Sequence, residues 1–201
     1  MKTTLMKDTG SNLGASLRIA LATIMLCGGL YPLVIFSFAR LATPESASGS
    51  LIRDRRGTVV GSRLISQSFS KPGYFWPRPS APKYDASAAA GSNLSPASPE
   101  VRSRAMQTIK VFGADSRHPL PADLAAASGS GLDPFITLQA ALFQAPRVAA
   151  ARGMTPGGVE AAIRRQSKEE RIFPSGEGLV NVLVLNMELD AVQKNNIAPR
   201  Q

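Results

Sequence analysis

The chain carries few of the side chains that perform enzyme chemistry. Its 201 residues include one histidine, His118, and one cysteine, Cys27. A catalytic nucleophile needs a base within reach, and a zinc site needs several ligands at fixed spacing. Cys27 lies in an apolar run, and His118 stands beside Pro119 without a serine or carboxylate motif. We therefore predict no catalytic site, no metal site, no disulfide and no tightly bound cofactor.

One glycine-rich segment has the composition of a phosphate-binding turn. Ser128-Gly129-Ser130-Gly131-Leu132-Asp133 precedes a helix that we predict over 137–152, and backbone amides before a helix can surround a phosphate. The Gly-Lys-Ser/Thr ending of a phosphate loop is missing, and no dinucleotide-type glycine pattern follows a strand. The sequence favours a tight turn capped by Asp133 over a nucleotide site.

Three consecutive aromatic residues and an arginine begin a long segment without periodicity. Tyr74, Phe75 and Trp76 are followed by Arg78, which stands between two prolines. Loops of this length inside a compact domain are more often functional than filler. Two interpretations are open: the aromatic side chains cap the core while Arg78 bonds loop carbonyls, or Tyr74, Trp76 and Arg78 form a contact surface for a partner.

An uncharged run near the N-terminus predicts the element that holds the chain in a membrane. Ile19–Ala39 contains no charge and lies between Arg18 and Arg40. About 20 apolar residues in a helix cross the roughly 30 Å hydrocarbon core of a bilayer. A cleaved signal peptide is the alternative, but its apolar region would be about 7–15 residues long. We predict an uncleaved transmembrane helix over 18–40.

The middle of this predicted helix contains residues that disturb or expose a helical backbone. Pro32 lacks an amide donor and presses on the preceding turn, while Gly28 and Gly29 let another backbone approach. Tyr31 is polar enough to prefer a protein contact over lipid. We predict a kink near Gly29 and a partner contact made by Gly28, Gly29, Tyr31 and Pro32. The alternative is the ordinary abundance of glycine and proline in membrane helices.

The predicted layout is an α+β chain with one N-terminal transmembrane helix and one soluble domain. An N-terminal arm covers 1–17, the transmembrane helix 18–40, a linker 41–49, and a single mixed α/β soluble domain 50–201. Basic residues lie on both sides of the span and do not fix its orientation. A short arm before one span and a long domain after it predict that the domain lies outside the cytoplasm.

Within the soluble domain, turn and cap signals predict several elements. A hairpin is expected from strands at 50–52 and 58–60, a helix from Ser98-Pro99-Glu100 to Gly113, and another from Pro156 to about Arg165. The run 179–185 is dense in β-branched residues and predicts a buried strand, followed by a helix over 187–193 capped by Asn186. The net charge of +9 is accompanied by no alternation of basic and aromatic residues, so nucleic-acid binding is not expected.

The order and spacing of many short motifs resemble one protein family, the C subunit of the Kdp potassium-transporting P-type ATPase. The resemblance covers most of the chain. The motifs are Tyr31-Pro32, Gly49-Ser50-Leu51-Ile52, Gly61-Ser62 with Gln67, Tyr74-Phe75 with Arg78-Pro79-Ser80-Ala81, Gly91-Ser92-Asn93-Leu94, Ser130-Gly131-Leu132-Asp133, Gln144 with Pro146-Arg147-Val148-Ala149 and Ala151-Arg152, Val180-Asn181-Val182, Leu185-Asn186, and Leu189-Asp190. The chain departs from the family pattern at Ala90, Ser95, Ser98 and Phe135.

The resemblance implies a subunit without its own catalytic site in an inner-membrane complex that takes up potassium at the expense of ATP. Its partners would be a potassium-binding pore subunit and an ATP-hydrolysing subunit. Such subunits are described as catalytic chaperones that raise ATP affinity, with the glutamine that matches Gln144 contacting nucleotide. A domain outside the cytoplasm meets no ATP, so a second interpretation is that Gln144 bonds a neighbouring loop. A cytoplasm-facing nucleotide-binding chaperone and a membrane-anchored envelope hydrolase are the alternative functions.

Overall fold

A computed structural model describes residues 2–54, 56–169 and 178–197. The chain divides into two compact units, Met1–Ser50 and Leu51–Gln201. The helices are α1 (Lys2–Ile24), a π-helical segment (Met25–Leu30), α2 (Tyr31–Ala42), α3 (Pro44–Ala47), α4 (Pro99–Phe112), α5 (Ala122–Ala125), α6 (Leu138–Arg152), α7 (Pro156–Glu169) and α8 (Val182–Ile197); the strands are β1 (Leu51–Arg53), β2 (Val59–Ser62), β3 (Phe135–Thr137) and β4 (Leu179–Asn181).

The N-terminal unit consists almost entirely of one apolar helical run. Asn12–Ala42 has a mean hydropathy of 2.2, and none of its most apolar window is buried within the chain. This confirms the helix predicted over 18–40. The helix also extends back to Lys2, so residues 2–17 of the predicted N-terminal arm are helical. No proline interrupts that stretch, and a nucleated helix extends at little cost because each further residue adds a hydrogen bond.

A π-helical segment marks the predicted irregularity in the middle of the span. It covers Met25–Leu30 and includes Gly28 and Gly29. The Tyr31 amide donates to the carbonyl of Leu26, five residues back. Such single wide turns are a recognised cause of helix kinks and accommodate a proline such as Pro32 directly after them.

The second unit begins with the predicted hairpin. β1 pairs antiparallel with β2, and Leu51 lies opposite Ser62. The Asp54 carboxylate accepts hydrogen bonds from the amides of Arg56 and Thr58, each at 2.9 Å. Gly57 supplies the left-handed backbone conformation of the turn with a φ of 79°.

Helix α4 begins and ends at its predicted caps, and α6 agrees closely with its predicted range of 137–152. Ser98 accepts a hydrogen bond from the Glu100 amide, and α4 ends at Gly113 with a φ of 65°. Thr137 accepts one from the Ala140 amide at 3.0 Å, and α6 ends at Gly153 with a φ of 64°. These contacts satisfy backbone groups that a helix end leaves unpaired.

The segment 179–185 differs from its prediction. Only 179–181 forms a strand, which pairs antiparallel with β3. Asn181 Oδ1 then accepts a hydrogen bond from the Val184 amide at 3.2 Å and starts α8. Val182, Leu185 and Leu189 follow at helical spacing and are all buried. Burial of this helical face overrides the β preference of the residues, because most helix stability in proteins comes from packing.

One apolar core lies between the β3–β4 pair and helices α5 to α8. Small residues on α6 let α7 pack closely against it. The buried apolar residues are Phe75, Leu124, Ile136, Ala140, Ala141, Ala145, Val148, Ala149, Val159, Ala162, Ile163, Val180, Val182, Leu185 and Leu189. Phe75 is the one member from the long segment 74–99, so this core holds the loop that follows β2.

The buried cap at Asn181 provides a test of the fold. Asn181 is fully buried, caps α8 and donates to the carbonyl of Arg63 at 2.9 Å. We expect Asn181→Ala to lower the free energy of unfolding by about 1–3 kcal/mol, because a cap and a buried hydrogen bond are lost together. Ser98→Ala, at an exposed cap, should cost about 1 kcal/mol or less. Denaturant unfolding of the full chain followed by Trp76 fluorescence measures both, and equal losses would contradict the assignment.

Candidate functional site

The candidate site is the aromatic loop, defined as residues 71–78, together with the parts of α6 and α8 that hold it. The loop contains Tyr74, Phe75, Trp76 and Arg78, and it forms no strand or helix. Its buried backbone groups therefore need partners from side chains. Four polar residues of the two helices supply them: Gln144, Arg147 and Arg152 from α6, and Asn186 from α8. Asp190 of α8 bonds the Tyr74 hydroxyl instead.

Two buried amide side chains, here called the amide clamp, bind consecutive backbone units of the loop. Gln144 Oε1 accepts from the Trp76 amide at 2.9 Å, and Gln144 Nε2 donates to the Trp76 carbonyl at 3.0 Å. Asn186 Oδ1 accepts from the Phe75 amide at 2.7 Å, and Asn186 Nδ2 donates to the Phe75 carbonyl at 3.0 Å. Gln144 and Asn186 are each only 1% exposed. Each amide thus reproduces the double hydrogen bond of a paired strand residue.

Arg147 adds a cation to the Gln144 side of the clamp. It donates to the carbonyl of Tyr74 at 3.0 Å and to Gln144 Oε1 at 2.7 Å. Its guanidinium lies 3.8 Å from the centre of the Trp76 ring, a cation–π contact. Burial lowers the pKa of Arg147 to about 10, so the side chain still carries its charge at neutral pH.

Arg152 and Asp190 fix Tyr74 on the Asn186 side. Arg152 bonds the Gly73 carbonyl, pairs with Asp190 Oδ1 at 2.8 Å and lies 4.9 Å from the Tyr74 ring centre. The Tyr74 hydroxyl donates to Asp190 Oδ2 at 3.2 Å. Burial and the Asp190 carboxylate raise the pKa of Tyr74 above its usual value. The phenol therefore stays neutral and remains a donor at physiological pH.

Arg78 joins the aromatic loop to the glycine-rich turn. It pairs with Asp133 Oδ2 at 3.2 Å and donates to the carbonyl of Ala127 at 3.3 Å. Within that turn, Ser128 Oγ accepts from the amides of Gly131 and Asp133, and Asp133 Oδ1 accepts from Phe135. Several of the turn's amides thus bond within it, in agreement with the predicted tight turn, although the turn leads into β3 and not directly into a helix.

The contacts of these side chains hold the aromatic loop in position. Among residues 2–54, 56–169 and 178–197 no cluster of three or more His, Cys, Asp or Glu side chains could hold a metal ion. His118 is exposed and lies 3.9 Å from Asp115. Arg78, Arg147, Arg152 and Asp190 each have a partner of opposite charge, a carbonyl or an aromatic ring.

The structure brings Tyr74, Trp76, Arg78 and Gln144 together in this site. Both interpretations of the loop have a basis in it: Phe75 is fully buried, whereas Tyr74, Trp76 and Arg78 are half-buried. Partner contact by these residues stays a prediction, as does nucleotide contact by Gln144. In the other unit, Gly28, Gly29, Tyr31 and Pro32 lie in or directly after the π-helical segment.

Sequence reasoning missed four members of the site. Asn186 was predicted to cap a helix, and Arg147, Arg152 and Asp190 were assigned no role in holding the loop. A signal was present in the spacing of α8, where Asn186 and Asp190 stand four residues apart beside buried apolar positions. Polar residues at such spacing on an otherwise apolar helix indicate a buried polar contact.

Comparison with known proteins identifies relatives over nearly the whole chain. Residues 13–191 match the family model described as KdpC, the K⁺-transporting ATPase c chain. A potassium-transporting ATPase KdpC subunit from Parvibaculum lavamentivorans is 46% identical over 179 residues, which cover 89% of this chain and 96% of the relative. A KdpC subunit from Geobacter sulfurreducens is 45% identical, and the match covers 89% of this chain and 96% of the relative. One from Citrifermentans bemidjiense is 42% identical, and the match covers 92% of this chain and 97% of the relative. The chain therefore belongs to the KdpC family of potassium-transporting ATPase subunits.

Proposed function

We propose that the chain is an accessory subunit that does not hydrolyse ATP and that assembles with the pore and ATP-hydrolysing subunits through its apolar helix. The observation that carries this proposal is the helical run Asn12–Ala42, whose apolar window has no buried residue. In a bilayer, an apolar helix with an interrupted backbone contacts either lipid or another protein helix. The interrupted backbone favours contact with another protein helix, since helices in membranes associate through close packing at small residues.

The π-helical segment has the properties of a packing surface. A Cβ atom added at Gly28 or Gly29 would meet no atom within 4 Å, so both backbones are open to an approaching helix. Tyr31 is 64% exposed, and its hydroxyl gains a hydrogen-bond partner more readily in a protein contact than in hydrocarbon. In this proposal Gly28, Gly29, Tyr31 and Pro32 face a membrane helix of a partner subunit.

The soluble unit, in the same proposal, presents a rigid surface to the pump from outside the cytoplasm. The amide clamp and the two arginines hold the aromatic loop at fixed positions. Tyr74, Trp76 and Arg78 keep part of their surface open. Aromatic residues and arginine bind partners well when they are already held in place, because little side-chain entropy is then lost.

The family resemblance also assigns Gln144 to nucleotide, as part of a catalytic chaperone. The amide of Gln144 is buried and already bonded to Trp76 and Arg147. A nucleotide contact would therefore require the aromatic loop to move away. A loss of ATP affinity in a Gln144 variant would therefore arise in two ways, through a lost nucleotide contact or through release of the loop that Gln144 holds.

Packing of the span is tested with Gly29→Leu in the whole complex. We expect the yield of the other pump subunits that co-purify with the chain to fall about tenfold or more, because the new side chain blocks close approach of a partner backbone. Since none of the residues that the structure describes has an atom within 4 Å of an added Cβ at Gly29, the loss reports on a partner. Ala20→Leu, which adds similar bulk elsewhere on the span, is the control. Unchanged co-purification for Gly29→Leu would refute this packing surface.

The role of Gln144 is tested by comparing it with its counterpart in the clamp. Gln144→Ala and Asn186→Ala each remove two hydrogen bonds to the loop, and we expect each to lower the free energy of unfolding by about 1–3 kcal/mol. In the assembled pump we expect both variants to change the ATP concentration for half-maximal activity by similar factors, because both release the same loop. A change confined to Gln144→Ala would instead assign a direct nucleotide contact.

The side of the membrane is tested by labelling a single cysteine. Gly157 is exposed on α7 and has no atom within 4 Å of an added Cβ, so Gly157→Cys in a Cys27→Ser background leaves one reactive thiol without a clash. We expect a membrane-impermeant maleimide to label this thiol in intact cells from which any outer membrane has been removed. Labelling only after lysis would place the soluble unit in the cytoplasm and overturn this part of the proposal.

A further inference from the structure

The soluble unit contains a cavity of about 540 Å³ that the accessory role does not use. It lies between the β1–β2 hairpin and α8, next to the aromatic loop. This volume falls within the roughly 300–1,000 Å³ of small-molecule sites. Three charged residues of the hairpin turn, Arg53, Asp54 and Arg56, belong to its lining, and the two arginines are its exposed members, which mark the mouth.

The lining of the cavity is apolar along one side of α8. Leu183, Met187 and Ala191 follow each other at four-residue spacing and therefore form one line on the helix. Gln67, Asn186 and Asp190 add polar groups to the lining, and its remaining apolar part comes from residues before α4. These residues are Val60, Phe69 and Tyr74.

The charges at the mouth favour an anion. Asp54 is occupied by the backbone amides of the hairpin turn, and Asp190 of α8 is paired with Arg152 and bonded to Tyr74. Arg53 donates one hydrogen bond to the Gly57 carbonyl. Within the part of the chain that the structure describes, neither Arg53 nor Arg56 pairs with a carboxylate. Two cationic heads thus remain available beside an apolar interior.

We propose that this cavity binds an anionic phospholipid, with the phosphate at Arg53 and Arg56 and part of an acyl chain along Leu183, Met187 and Ala191. The ligand must combine a negative head with an apolar chain, because the arginines at the mouth bind a negative group and the apolar part of the lining binds a chain. A free phosphate would leave the interior empty. This inference rests on the membrane-spanning helix and is independent of the accessory role.

The order of the chain makes a phospholipid the best supported ligand. The helical run that carries the span ends at Ala42, and β1 begins at Leu51 after the short helix α3. The hairpin with Arg53 and Arg56 is thus the first part of the soluble unit after the membrane. Basic residues close to a membrane segment bind anionic headgroups, each contributing about 1 kcal/mol near the surface. An acidic amphipathic peptide would pair with the same arginines, but nothing in the chain brings such a peptide near them, whereas the span brings the chain to lipid.

The experiment uses the full chain in detergent with phosphatidylglycerol that carries a photoreactive diazirine in its acyl chain. After irradiation, mass spectrometry locates the adducts. We expect adducts on α8 between 183 and 191, and we expect the corresponding phosphatidylcholine probe to give about tenfold fewer, because the two arginines favour the anionic head. Inorganic phosphate should not abolish the adducts.

Two variants separate the head from the chain. Arg53→Gln/Arg56→Gln should lower the α8 adducts of phosphatidylglycerol to the phosphatidylcholine level, whereas Arg102→Gln/Arg117→Gln, an equal charge change at exposed sites, should leave them unchanged. Ala191→Phe should lower the adducts by filling the cavity while the arginines remain. Equal labelling by the two lipids, adducts confined to the span, equal effects of the two arginine pairs, or capture of phosphate alone would each overturn the proposal.

Discussion

The organisation of the soluble unit depends on one constraint, that buried backbone amides and carbonyls must have hydrogen-bond partners. The aromatic loop crosses the core without belonging to a sheet, so it has no neighbouring strand to satisfy Phe75 and Trp76. Gln144 and Asn186 take that place with two hydrogen bonds each. Because Gln144 belongs to α6 and Asn186 to α8, the loop also links two helices that are distant in sequence. Removing either amide would leave buried polar groups unpaired, which costs more than the bonds themselves contribute.

The same constraint governs the span, where the surroundings offer no hydrogen bonds at all. A helix satisfies its own backbone, but Pro32 cannot donate and crowds the turn before it. The chain widens that turn into the π-helical segment Met25–Leu30. The disturbed backbone there coincides with two glycines and Tyr31. A membrane helix tolerates such a site best where a neighbouring helix covers it, which agrees with the subunit role of the family.

Local signals in the sequence predicted the elements that local physics determines. Ser98 and Gly113 cap α4 as expected, and the apolar run 19–39 is helical. The failures concern long-range packing. Val182–Leu185 has the composition of a strand but lies in α8, because burial of a helical face outweighs β propensity. β3 was not foreseen, since three residues carry too little pattern to be recognised.

The candidate site was predictable in its residue types and not in its pairing. An aromatic loop beside an arginine indicated a special segment, and Gln144 was singled out by the family resemblance. The bonds that define the site join residues 68 and 111 positions apart, and no periodicity within a window of one helix can encode such a pair. Arg147 above Trp76 belongs to the same class, because a cation–π contact follows from the crossing of two elements and not from the order of either.

The proposed lipid cavity and the candidate site share three side chains, and this has a thermodynamic consequence. Tyr74, Asn186 and Asp190 line the cavity and also hold the aromatic loop. A ligand that contacts these three side chains shifts the position of the aromatic loop if its affinity differs between two loop positions. Coupling of this kind is reciprocal. If bound lipid changes the affinity of the loop for a partner that contacts Tyr74 and Trp76, the bound partner changes the affinity for lipid by the same factor. Under these proposals, lipid binding and partner binding in the soluble unit are linked through the positions of the same side chains.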